Sequence, residues 1–438
     1  MSSFLVSEKI KTERIEGMRN GNGAEEHNNT LVSTEVKDDI IREITSRLPL
    51  KYAVQCKVLN KDFNRCISDP GFSQSLLQHE MDCSTQLIFT SNVLFKYFHK
   101  ISLNPIPITH GATTLPYDVE LLASCKGLIL FDFDEIMVYC VFNPITGAHR
   151  LIPYPEPTTF MMIGEPGLAV YYPSSDHYKL VTISKMADPN LVYKFHVLSS
   201  VRSGSWREIP LRSNTFSDLA VGSRPVYWRG SLYWLRSDGS VITFDTNREE
   251  AIILDRPEFI DDFGIIYGKI LTGRDIWLGV AQGSLTLVCI FKKSIVIAAY
   301  EDASSSWNVS HPLDNFLPCP DGFINGFPVM IDSKQVFFAV KGPLSIYHDL
   351  YEYDTEINWV RKAAGLGLVD YPLHSFQPTL ASVHATPSEI VNSHHFSYIT
   401  AKIDQIRRYI TEGVSTVEEE DDESSSESEE EESDEEIL

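Results

Sequence analysis

The apolar positions along the chain change period twice. From Lys37 onward Ile40, Ile41, Ile44 and Leu48 recur at helical spacing. Asp38 and Asp39 precede them, where carboxylates cap a helix and complement its dipole. Pro49 stops that helix. Ala53, Val54 and Val58 predict a second helix over 51–59. Phe63 and Ile67 predict a third over 61–68, ended by Asp69-Pro70-Gly71. Beyond about residue 84 the period falls to two. Tyr193, Phe195 and Val197 alternate with Lys194 and His196, which predicts a half-buried strand. Strands are also expected over 86–90, 127–133, 168–172, 178–184, 231–235, 241–245, 284–291, 294–301, 336–340 and 350–354. Helical spacing returns over 387–410. Ile399, Ile403, Ile406 and Ile410 form one apolar stripe there, as in a helix packed on the β region.

Turn signals such as Asn143-Pro144, Asp238-Gly239 and Asp332-Ser333 separate the strands. A weak unit repeats among them: NPITGAHRLIP at 143–153, SSVRSGSWREIP at 199–210, FDTNREEAIILDRP at 244–257, EDASSSWNVSHP at 301–312 and YDTEINWV at 353–360. Several short strands per period of about 40–50 residues suggest propeller blades. A large β-sandwich with similar turns is the alternative. The lack of long helical patterns between strands excludes a doubly wound α/β fold. The expected organisation is α+β and multidomain: a disordered arm (1–34), a three-helix module (35–80), a mainly-β, propeller-like domain (84–385), an amphipathic helix (386–412) and a disordered acidic tail (413–438). Three helices in so few residues bury little surface and gain stability by docking.

Charge sharpens this division. The 438 residues carry 37 Lys+Arg and 60 Asp+Glu, a net of −23. Residues 418–436 hold 14 acids and no base; taking those 14 from the 60 leaves 46 acids against 37 bases, a net of −9. An acidic balance argues against a nucleic-acid partner, although most of that argument concerns the tail. The tail repels itself and buries almost nothing. Ser424, Ser426, Ser428 and Ser433 each precede an acid by three residues, the pattern that casein-kinase-type enzymes prefer. They are phosphorylation candidates in a tail that is either regulatory or simply solubilising. Seven scattered cysteines without a CxxC pair suit reduced thiols in the cytoplasm or nucleus. No apolar run is long enough to cross a membrane.

Enzyme signals are weak. Residues 264–270 are one residue short of a phosphate loop and lack its Ser/Thr. There is no HExxH or GxSxG, and no Cys/His clustering that implies a metal or cofactor.

The segment VKDDIIREITSRLPLKYAVQCKVLNKDFNRCISDPGF at 36–72 resembles an F-box. Asp38-Asp39, Glu43-Ile44, Ser46-Arg47-Leu48-Pro49, Lys51, Lys61 and Ile67-Ser68-Asp69-Pro70-Gly71-Phe72 carry the resemblance. It departs from the family where Val36-Lys37 replaces Leu-Pro and Phe63 replaces Trp. The β region resembles the F-box-associated, kelch-like domain of plant F-box proteins through ASCKGLILF (123–131), GLAVYYPSSDHYKLVTIS (167–184), VYWRGSLYWLRSDGSVITFDTNREE (226–250) and FQPTLASV (376–383).

The resemblance implies a non-catalytic, substrate-recognition subunit of a Skp–cullin–F-box ubiquitin ligase, with ubiquitin transfer left to other subunits. Ile40, Ile44, Leu48, Pro49, Val54, Val58, Phe63 and Ile67 are the expected adaptor-binding set, some of them shared with the helical core. Through the Skp-type adaptor the chain would reach cullin and RING subunits, and the β domain would hold a target protein. Rim candidates for the target are Trp228, Arg229, Arg236, Asp238, Asp261, Asp262, Tyr347 and His348, since Trp, Tyr and Arg are favoured at hot spots. Trp206, Trp228, Trp234, Trp307 and Trp359 also suit blade cores. A lectin-like or small-ligand-binding propeller is the alternative function.

Overall fold

The computed structural model describes residues 37–48, 50–69, 72, 86–92, 96–102, 109–115, 119–156, 163–185, 193–201, 205–212, 217–260, 276–291, 294–309, 313–314, 325–332, 335–341, 347–357, 359–367, 373–383 and 393–412. Within them the β region forms six sheets of antiparallel strands. Five are contiguous in sequence: blade 1 (119–153), blade 2 (167–211), blade 3 (226–254), blade 4 (276–314) and blade 5 (325–367). Blade 6 is assembled from both ends of the domain. His374–Phe376 pairs with Gln86–Asn92, through Ile88 opposite His374, Leu87 opposite Ser375 and Gln86 opposite Phe376. This shared blade joins the two ends of the β region, so the sheets form a propeller and not a sandwich.

Six apolar layers hold the ring, one in each gap between neighbouring blades. Leu130, Tyr139 and Val141 of blade 1 pack with Tyr178 and Leu180 of blade 2. Phe195 of blade 2 stacks on Phe244 of blade 3, with ring centroids 4.9 Å apart. Leu235 and Val241 meet Leu285 and Leu287 of blade 4, and Val288 and Ile295 meet Phe338 and Tyr353 of blade 5. Leu87 and Phe89 of blade 6 meet Phe327 and Phe337. The remaining gap, between blades 6 and 1, is different. Ile88 and Phe376 face Phe131, Phe133 and Phe142, and a helix completes the layer. Ile399, Ile403, Ile406, Tyr409 and Ile410 of that helix (Ser393–Glu412) are buried there. The expected isoleucine stripe is the face it turns to the propeller.

Each repeat unit noted above is the hairpin between the third and fourth strands of one blade, for blades 1 to 5 in order. Trp206 explains its tryptophan. The Trp206 indole N–H donates to the Pro153 carbonyl at the outer edge of the preceding blade, 2.9 Å away. Trp307 does the same to Asp255, at 2.7 Å. These side chains link consecutive blades.

The N-terminal helices are α1 (37–46), α2 (Leu50–Gln55, continued by a 3-10 turn at Cys56–Val58) and α3 (Lys61–Ser68). Asn60 caps α3 by accepting from the Asp62 and Phe63 amides at 2.9 and 3.0 Å. Leu50, Ile67 and Phe72 pack on Ile145 of the propeller, with Leu380 alongside. The module is therefore docked, as its small size requires.

Candidate functional site

Docking gives the helical module two faces. On α1, Ile41 and Thr45 are buried, and the Thr45 hydroxyl donates to the Ile41 carbonyl at 2.6 Å. Ile40 and Ile44, one residue out of phase, are 55% and 52% exposed. Tyr52, Val58 and Leu59 are also exposed, Val58 to 87%. Ion pairs brace α1 to α3: Arg65 with Asp38 at 2.7 Å and Lys37 with Asp62 at 2.5 Å.

The eight residues expected to bind an adaptor divide accordingly. Ile40, Ile44 and Val58 are on the open surface. Leu48, Val54 and Phe63 are half-buried, and Val54 and Phe63 pack on the layer against the propeller. Ile67 requires a correction. It is 1% exposed in that layer, so its side chain anchors the module and offers nothing to a partner. Pro49 lies outside the described residues.

Strand direction alternates within every blade, so hairpins between first and second and between third and fourth strands emerge at one end of the ring. Ile145 and Leu380 put the helical module at that end. Arg229 is there too. Its guanidinium lies 4.6 Å over the Trp228 ring and pairs with Asp302 at 2.7 Å. Trp228 itself is buried and donates to the Gly283 carbonyl at 3.2 Å. Arg236, Asp238, Tyr347 and His348 belong to the opposite end. The expected single rim is thus two separate ends. Arg236 is a second correction: it is 1% exposed, donates to Ser240 Oγ at 3.0 Å and lies 6.0 Å from the Tyr193 ring centre. It shapes the 236–240 turn. Asp238 accepts from the Ser240 amide at 3.0 Å in the same turn. Tyr347 is exposed, and His348 sits 5.4 Å from the Phe327 ring. Asp261, Asp262, Ser424, Ser426, Ser428 and Ser433 lie outside the described residues. Of the tryptophans assigned to blade cores, Trp228 and Trp234 are buried, Trp206 and Trp307 half-buried, and Trp359 exposed.

The inner strands of all six blades line a central channel of about 420 Å³. Sequence reasoning passed over its distinctive residues, Ser124, Arg224, Trp277 and His374. They come from four different blades or their approaches and share no motif. The available signal was the turn that closes the inner hairpin, Lys126-Gly127, Arg229-Gly230 and Gln282-Gly283, with both residues at positive φ each time.

Residues 81–261 match the F-box associated beta propeller domain family. Over that stretch the chain is similar to F-box proteins that carry this domain. The matched stretch covers the first strands of blade 6 and blades 1 to 3. An F-box/kelch-repeat protein of Arabidopsis thaliana is 28% identical over 226 residues, which is 49% of this chain and 49% of that one. An F-box protein of the same plant is 25% identical over 338 residues, 70% of this chain and 76% of that one. The chain thus spans about half the length of the first of these relatives. Among solved structures, a nidogen/laminin complex is similar at 11% identity and TM-score 0.40, covering 67% of this chain and 99% of that one. Among the described residues no helix is long and apolar enough to cross a membrane, and no three His, Cys, Asp or Glu side chains converge on a metal position.

Proposed function

We propose that this chain is the substrate-recognition subunit of a Skp–cullin–F-box ubiquitin ligase. The observation that carries this reading is that Ile40, Ile44, Val58 and Leu59 of the helical module are exposed, 52% or more each, and none of them belongs to the layer packed on the propeller among the described residues. Several large apolar side chains left exposed on one small module fit a partner site. The partner is a Skp-type adaptor, which brings cullin and RING subunits; the chain itself supplies position and no reaction chemistry. The target protein binds the end of the propeller opposite the helical module, where Asp238, Tyr347 and His348 lie. The acidic tail with Ser424, Ser426, Ser428 and Ser433 is a modifiable element whose charge grows by about −1.5 to −2 per phosphate.

Affinity purification of the full chain from cells with the ligase held inactive tests the assembly. Recovery of adaptor and cullin with wild type, and their loss with Leu48→Ala plus Pro49→Ala, is expected. Undiminished recovery with that variant contradicts the assignment.

A further inference from the structure

The channel has a composition unlike a structural core. Among the described residues its lining holds two cations, Lys126 and Arg224, and no carboxylate, and the half-buried Glu165 carboxyl outside the lining interacts with Arg224. Arg224 enters from the segment before blade 3 and reaches past blade 2, donating to the Leu122 carbonyl of blade 1 at 3.1 Å. That carbonyl is available because strand pairing skips Leu122, between Leu121 and Ala123. Two polar atoms facing the same space, Ser124 Oγ and His374 Nε2, are buried with no hydrogen-bond partner among the described residues. His374 is 9% exposed. Burial, and secondarily the Arg224 charge, hold its imidazole well below the ordinary histidine range. It therefore presents a neutral ring able to donate or accept.

Two aromatic side chains, Trp277 and Tyr227, also line the channel. A Cβ at Gly279 would stand 2.0 Å from the Trp277 ring, so glycine is what lets that indole lie along its strand. At the other side Tyr227 carries the Lys126 ammonium 5.5 Å from its ring centre. A buried polar atom without a partner costs about 1–3 kcal/mol, and two facing one cavity are best explained by something that satisfies them. Pockets that take small molecules run from roughly 300 to 1,000 Å³ with few convergent polar groups, and this one lies in that range.

We propose that the central channel binds a small organic anion with a flat aromatic body. Arg224 and Lys126 take the anionic group, Ser124 and His374 complete its hydrogen bonds, and Trp277 and Tyr227 cover the ring. The site does not depend on the ligase reading, because none of its residues belongs to the helical module.

Calorimetric titration of the full chain with naphthalene-2-sulfonate, and with the uncharged naphthalene-2-methanol, tests it. The sulfonate is expected to bind at submillimolar concentration and the alcohol about tenfold more weakly. Lys126→Gln and Arg224→Gln should each weaken the sulfonate about tenfold without changing the alcohol. Arg224→Gln also loses the bond to Leu122; should it fail to fold, Lys126→Gln and Ser124→Ala, checked by thermal unfolding, carry the comparison. No binding of the sulfonate at millimolar concentration, equal affinity for the two probes, or full affinity in folded Lys126→Gln and Ser124→Ala would each overturn the proposal.

Discussion

Asn143 and Ala381 stand 238 positions apart in sequence, yet the Asn143 amide donates to the Ala381 carbonyl at 2.7 Å. Its second N–H reaches the Thr379 carbonyl at 3.1 Å. Its oxygen accepts from the Ile145 and Thr146 amides at 2.9 and 3.3 Å. One buried side chain thus forms the outer turn of blade 1 and holds the segment that follows the closing strand.

Asn143→Ala leaves several buried backbone groups without partners. At about 1–3 kcal/mol for each unsatisfied group, and with some of them regaining water, a loss of about 2–4 kcal/mol is expected. Urea unfolding of the full chain should show it as a lower midpoint. The exposed turn at Asp245, which accepts from Asn247 and Arg248 amides at 2.8 and 2.9 Å, is the control. Asp245→Ala should cost about 1 kcal/mol or less.

Two glycines at equivalent hairpins should respond unequally to alanine. Gly127 has φ +80, and a Cβ there would meet Thr379 Oγ1 at 2.1 Å and the Thr379 amide at 2.7 Å. Thr379 is held in place by its hydroxyl bond to the Lys126 carbonyl, at 2.7 Å. Gly283 has φ +74 but open space around the added atom. Gly283→Ala should cost about 1–2 kcal/mol, the left-handed backbone alone. Gly127→Ala should cost clearly more. Thermal unfolding of the two variants side by side checks the order, and equal losses would refute the close approach.

Two carboxylates give pH dependence of opposite sign. Burial raises Asp132 to about 6, even though the Tyr154 hydroxyl donates to it. Its contribution to stability is present below the unfolded value near 3.9 and is lost as pH rises through about 6. Asp132→Asn should remove that dependence and raise stability at pH 7. Glu249 is held down to about 2 by bonds from Arg207, at 2.6 Å, and Lys179, at 2.8 Å. Its contribution is present above about 4.3 and is lost as pH falls toward 2. Glu249→Gln should flatten the acid limb. Denaturant midpoints measured from pH 3 to pH 7.5 separate the two.

The sequence made the middle strands of the blades legible and left most inner and outer strands out. The expected strands 231–235 and 241–245 are the second and third of blade 3, covered on both faces; 284–291 and 294–301 hold the same places in blade 4. Outer strands such as Arg207–Leu211 alternate with water on one side and include a proline. Inner strands such as Val226–Trp228 are three residues long, and His374–Phe376 closes the ring. Too few side chains remain there for a period to show. The helical stripe through Ile399 and Ile410 was legible because its spacing spans three turns. The apolar residues of the helical module were legible but not by face, because Ile67 and Ile44 differ only in what the propeller covers. The channel was not legible, because Ser124, Arg224 and His374 meet only through closure.

The proposed ligase role depends on the exposed side chains of Ile40 and Ile44. Calorimetric titration of a purified Skp-type adaptor into the full chain, wild type and Ile40→Ser plus Ile44→Ser, measures it directly. These side chains are exposed, so the variant should unfold at the wild-type temperature. At about 2 kcal/mol for each apolar anchor, its affinity should fall by at least about 100-fold. An equally stable variant that binds the adaptor as tightly as wild type would contradict docking through Ile40 and Ile44.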